Sequence, residues 1–283
     1  MIKTKKDKIK IIKLSQIRSI HHQEENKKIK SDGIDMDKWF MNPYSYIKFK
    51  YFIETSALIV FFAQFTKISP NNITGIYIIL GFLSGLFLAS NNDTLIFLSL
   101  IFLFTKSSFD AADGLLARIK KKTSNLGDLL DNWGALVGSY SYLCGFGVYL
   151  YNKENNFLFI ILALLIILMK AVDLKDYSYH LAMYKLFKTN KKSEIINKIN
   201  MKNNNMFKKN NPHYLTKIKN FIQNFIDERS RTIDIIILLI FIDNYYFNIT
   251  LLNYIYFYIF FKTLLIFIGG IYITCYKNYL FKK

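Results

Sequence analysis

The apolar residues of this chain are gathered into long runs, and six of these predict helices at 72–90, 94–119, 124–151, 156–179, 232–248 and 250–276. One helical crossing of a bilayer needs about 20 mostly apolar residues, so the pattern predicts an all-α membrane protein with six transmembrane helices. Ahead of these runs, 39–68 mixes aromatic residues with Lys before an apolar stretch from Ser56 to Phe65 that is too short to cross. It reads as an interfacial amphipathic helix anchored by Trp39, Tyr44 and Tyr46. Pro70 breaks the helix before it, and Asn71 or Asn72 is suited to cap the next.

Charge adds direction to this pattern. The formal net charge is +18, yet the segments 91–93, 152–155 and 243–250 are poor in Lys, whereas 118–122, 180–231 and 277–283 are rich in Lys or Arg. Cytoplasmic loops carry the excess of basic residues, so both termini and the 180–231 loop are expected in the cytoplasm. That distribution accounts for the basic balance without nucleic acid as a partner; the expected partner surface is the lipid bilayer. Residues 1–38 form a basic leader, expected to be cytoplasmic, partly disordered and in contact with anionic headgroups. They lack the apolar core of a secretory signal. The six-helix domain then occupies 69–283.

Several features change the picture little. His21 and His22 are adjacent, which points them apart on a helix and away from a shared metal. Cys144 and Cys275 fall near opposite surfaces and are expected to stay unpaired. Within 185–225, rich in Asn and Lys, Ile218, Phe221, Ile222 and Phe225 recur at amphipathic spacing. Lys170, Asp173, Lys175, Asp176 and His180 do not share one helix face and read as boundary residues, although Asp173 lies deeper. Gly269 and Gly270 allow close helix packing and a homodimer contact, and Lys262 stands mid-helix, an expensive place for an ammonium.

The candidate chemistry lies where the second and third runs meet. Asp110, Asp113, Gly114 and Ala117 stand at i, i+3, i+4 and i+7, on one helix face. Gly127 and Asp131 stand at i and i+4 on the next helix, and the intervening turn is short enough to fold that helix back on the first. A carboxylate at membrane depth costs at least ~2.5 kcal/mol, which makes such a residue a site candidate by default. Three carboxylates converging on one point suit a hard dication, Mg²⁺ or Mn²⁺, that also holds substrate phosphate. Arg118, near the water boundary, offers a planar fork to a phosphate.

At these positions the chain resembles the CDP-alcohol phosphotransferase family, whose signature runs D-x-x-D-G-x-x-A-R, about eight residues, then G-x-x-x-D-x-x-x-D. Asp110, Asp113, Gly114, Ala117, Arg118, Gly127 and Asp131 match it in type and spacing, and Pro70, Asn71 and Thr74 match the family's P-N-x-x-T stretch. The resemblance implies a membrane enzyme that takes a CDP-linked lipid donor and an acceptor alcohol and releases CMP. It implies Asp110, Asp113 and Asp131 as metal ligands, and Gly114, Ala117, Arg118, Gly127, Asn71 and Thr74 as nucleotide or phosphate contacts. Arg229 and Arg231 would meet a phosphate on the acceptor. The last aspartate of the signature is replaced by Ala135. In the family that carboxylate is taken to ligate a second metal and to deprotonate the acceptor, so the general base here is unassigned. Asp128 stands about 10 Å from Ala135 along the axis, too far to substitute. Three readings of Ala135 stay open: a substitution introduced to trap a complex, a natural paralogue using another base, or a homologue that binds without transferring. A transporter would carry two inverted halves with matching broken helices, and the chain has no such repeat.

Overall fold

The computed structural model describes residues 12–31, 43–174 and 231–276. Among these, every regular element is a helix: α1 Leu14–Ser31, α2 Pro43–Gln64, α3 Pro70–Leu88, α4 Asp93–Ile119, α5 Asn125–Glu154, α6 Leu158–Ala171, α7 Arg231–Tyr245 and α8 Leu251–Tyr276. The chain divides into two units, Met1–Gly145 and Phe146–Lys283. Among the described residues, three helical stretches have the length and apolarity to cross a membrane: Pro70–Leu88, Asp93–Ile119 and Leu251–Tyr272. Every one of the six expected spans contains a helix, but the fourth is shorter than expected. It ends at Ala171, with a turn at Val172 and irregular backbone at Asp173, where the apolar stripe gives way to polar residues. Asp173 is therefore past the end of α6, and the remainder of that expected span lies outside the described residues.

In the first unit, the basic leader contains a helix that the hydrophobic pattern did not single out. Ile17 of α1 is fully buried, His21 Nδ1 and Ser56 Oγ share a 2.9 Å hydrogen bond, and Arg18 pairs with Glu54 at 2.6 Å. Gln64 closes the other end, accepting from the Ile12 amide and donating to its carbonyl. Helix α2 also docks on α4, where Thr55 Oγ1 donates to Ser108 Oγ at 2.9 Å. Ala57, Val60, Ile73, Ala112, Leu115 and Leu116 complete an apolar core built from α1 to α4.

Ser69, rather than Asn71 or Asn72, caps α3: its hydroxyl accepts from the Asn72 amide while Pro70 takes the first helical position. Helix α3 meets α5 through small residues. A Cβ added at Gly85 would fall on the Ser141 backbone, and one at Gly145 on the Gly85 backbone. Ser141 Oγ donates to the Phe82 carbonyl at 2.7 Å across this contact. Glycines let two helix backbones approach closely where lipid supplies no hydrophobic drive between helices. Gly269 does not act in this way, because a Cβ there would meet nothing within 4 Å among the described residues. The expected close packing through it is not seen among the described residues.

In the second unit, Phe146 and Phe159 pack their rings on the buried Tyr256, with centroids 5.1 and 6.2 Å away. At the end of α7, Asp243 is buried and accepts from Tyr149 Oη at 2.6 Å and from Lys153 Nζ at 2.9 Å. Cys144 and Cys275 are both free thiols, as expected.

Candidate functional site

Helix α4 ends in a tight reversal that sets the site. Lys122 N–H donates to the Ala117 carbonyl and Lys121 N–H to the Arg118 carbonyl, the two bonds of a Schellman motif, with Lys121 at φ 52°. Lys120 Nζ donates to the Ile68 carbonyl at 2.8 Å, tying this reversal to the segment that leads into α3. Burial, and then repulsion from Lys122, hold the Lys120 ammonium below its ordinary pKa. Ser124 then starts α5, its hydroxyl accepting from the Gly127 amide at 3.0 Å.

This turn lays the start of α5 beside the end of α4. The carboxyl groups of Asp110 and Asp131 come within hydrogen-bonding reach of one another, and the charge of Asp113 is felt at Asp110. Asp110 and Asp131 are exposed, whereas Asp113 is only 8% exposed. Thr74 Oγ1 donates to Asp113 Oδ2 at 2.5 Å, which turns that carboxylate toward α3. The expectation of three carboxylates closing on one point is therefore modified. They are neighbours, but among the described residues no group of three His, Cys, Asp or Glu is close enough to hold one metal ion.

The other signature residues surround this cluster. A Cβ at Gly127 would lie 3.3 Å from Ser124 Oγ and 3.4 Å from Asn71 Oδ1, so Asn71 stands against the start of α5. A Cβ at Gly114 would lie 3.3 Å from the Arg118 guanidinium, whose charge reaches Asp113. Ala117 is half-buried one turn below Asp113, and Ala135 is exposed one turn beyond Asp131. Asp128 is exposed too. Arg229 lies outside the described residues; Arg231 begins α7, and its side chain is likewise outside them.

Two residues not singled out in the sequence also belong here. Tyr77, buried on α3, feels the charges of all three aspartates. Lys106, one turn before Asp110, sets its ammonium 5.5 Å from the centre of the Tyr77 ring and within electrostatic reach of Asp110. The available signal was a lysine at i−4 from the first aspartate.

A family model for CDP-alcohol phosphatidyltransferase matches residues 67–226, more than half of the chain. The chain belongs to this family. Comparison with curated proteins and with solved structures returns no match. The match begins just before α3 and includes every paired residue of the acidic cluster. CDP-alcohol phosphatidyltransferases transfer a phospho-alcohol group from a CDP-alcohol, and they generally depend on a divalent metal. The donor set suits such an ion in chemistry: all three groups are carboxylates, the oxygen ligands that hard dications take, and two of them are exposed on facing helices.

Proposed function

We propose that the chain transfers a phosphatidyl or other phospho-alcohol group from a CDP-linked lipid donor to an acceptor alcohol, releasing CMP, as a step of phospholipid biosynthesis. The observation that carries this reading is the pairing of exposed Asp110 and Asp131 across α4 and α5, beside the Thr74-held Asp113. The proposed topology has six spans after an interfacial α2, with termini and active site on the cytoplasmic side. Family membership and the three helices long enough to cross among the described residues support its membrane character, and the distribution of Lys and Arg is what argues its sidedness.

In this reading Asp110, Asp113 and Asp131 are the residues that would hold Mg²⁺ or Mn²⁺, and the ion would supply charge neutralisation to the donor's diphosphate. Thr74 fixes the direction of Asp113. Asn71, Gly114, Ala117 and Gly127 line the nucleotide and its phosphates, the two glycines admitting close approach, and Arg118 meets phosphate through its planar fork. The acceptor hydroxyl oxygen forms a bond to the phosphorus distal to cytidine while the bond from that phosphorus to the departing CMP oxygen breaks. The hydroxyl proton goes to a base, and Ala135 cannot be that base. Arg229 and Arg231 are assigned to an acceptor that carries its own phosphate.

Ala135 supports a second reading, in which the chain binds the donor with little transfer. A positioned base is worth about 10² to 10⁴ in rate. The full-length protein and its Ala135→Asp variant, incubated with Mg²⁺ or Mn²⁺ and a panel of CDP-lipids and alcohols, are compared for CMP release and donor-dependent thermal stabilisation. Transfer predicts CMP from both, faster from the variant. Stabilisation of both without CMP favours the binder, and neither signal from either protein removes the functional reading.

A further inference from the structure

Separate stretches of the first unit are tied by hydrogen bonds to the end of α2. Gln64 accepts from the Ile12 amide at 2.8 Å and donates to the Ile12 carbonyl at 3.1 Å, which fixes the start of α1 there. Lys120 Nζ, at the end of α4, donates to the Ile68 carbonyl at 2.8 Å and to the Ala63 carbonyl at 3.5 Å. Exposed lysines flank each of these anchors: Lys13 follows Ile12, Lys67 precedes Ile68, and Lys121 and Lys122 follow Lys120. The stretches 12–16, 62–69 and 119–124 contain neither Asp nor Glu, and none of the four lysines makes an ion pair among the described residues. Like charges gathered without an acid leave this surface positive and open to an anionic partner. Lys121 adds a second observation. At φ 52° it holds the left-handed position of the Schellman turn, where glycine would be less strained, and lysine keeps a charge there instead.

The position of the patch selects the partner. Helix α3 begins at Pro70 and α4 ends at Ile119, and both are long and apolar enough to cross a membrane, so the segments carrying Lys67, Lys121 and Lys122 stand at its boundary. At the same end of α2, Phe62 and Phe65 are 65% and 58% exposed, and both rings pack on Phe61. Exposed rings beside lysines suit a partner with acyl chains on one side and phosphate on the other, rather than a soluble anion. We propose that Lys13, Lys67, Lys121 and Lys122 form a binding site for the headgroup phosphate of an anionic phospholipid, with Phe62 and Phe65 seated among its acyl chains. The inference needs these helices in a bilayer and uses no step of the transfer reaction proposed above.

The test titrates full-length protein in detergent with phosphatidylglycerol or phosphatidylcholine and counts bound lipid by native mass spectrometry. The wild-type protein is expected to prefer phosphatidylglycerol. Lys67→Gln, Lys121→Asn and Lys122→Gln should each weaken that binding about 5-fold, the triple variant more, and phosphatidylcholine binding should not change. Asparagine is used at 121 because it tolerates the left-handed conformation. A control triple, Lys277→Gln, Lys282→Gln and Lys283→Gln, removes the same charge from the end of the chain and should lose much less. Equal losses in the two triple variants overturn the proposal, since net charge alone would then explain the preference. So does a wild-type protein with no preference, or a patch triple that binds like the wild type. Inorganic phosphate that displaces the lipid assigns the lysines to a free anion and also overturns it. The single variants carry the same test if the triple variant does not fold.

Discussion

Thr74 and Asp113 form the link between α3 and the acidic cluster: the threonine hydroxyl donates to a carboxylate oxygen at 2.5 Å, and both residues are buried. The same hydroxyl contacts the Pro70 carbonyl at 3.2 Å, so Thr74 also ties the cluster back to the first turn of its own helix. A buried carboxylate that loses its donor carries an uncompensated desolvation cost.

Thr74→Val keeps the shape and removes the donor. The expected loss of stability is about 1–3 kcal/mol, and Thr74→Ser should recover most of it. Thermal unfolding in detergent measures both. Equal midpoints for the Val and Ser variants would show that the hydroxyl does not hold Asp113.

The small-residue contact between α3 and α5 separates two glycines that look alike in sequence. Gly85→Ala puts a methyl group onto the Ser141 backbone, which cannot move aside as a side-chain tip can. It should cost about 1–3 kcal/mol or more. Gly269→Ala enters open space and gains helix propensity, a change of up to about 1 kcal/mol in the stabilising direction. Thermal unfolding of the two variants side by side is the check, and a Gly85→Ala protein as stable as Gly269→Ala contradicts the packing described.

Local features of the chain could be read in advance, and features made by distant residues could not. The apolar lengths of α3, α4 and α8 announce themselves because the bilayer sets a single length requirement. The i, i+3, i+4 spacing of Asp110, Asp113 and Gly114 likewise survives intact, since a helix fixes it. Lys106 was missed because the room for its ammonium depends on Gly81 and Gly138, residues on two other helices. The direction of Asp113 depends on Thr74, 39 residues away. Helix α1 escaped notice for a related reason: its stripe is short, and what holds it is the specific meeting of Ile17, His21 and Arg18 with α2.

Asp243 supplies a prediction that depends on oxygen count. One carboxylate oxygen accepts from Tyr149 Oη and Lys153 Nζ, and the other accepts from the Ile249 amide. Both oxygens therefore face donors, and only a carboxylate presents acceptors on both sides. Asp243→Asn must aim its NH₂ group at one of these donor sets, and it leaves the Lys153 ammonium without its opposite charge. Leaving a buried polar group without its matching partner costs about 1–3 kcal/mol, so this one-atom change should lower the unfolding midpoint more than Asp128→Asn, made at an exposed aspartate. Lys153→Met should cost less than Asp243→Asn, because Tyr149 and the Ile249 amide still serve the carboxylate. Midpoints of the three variants measured together decide the matter: if Asp243→Asn unfolds with Asp128→Asn, the buried cluster does not hold the end of α7.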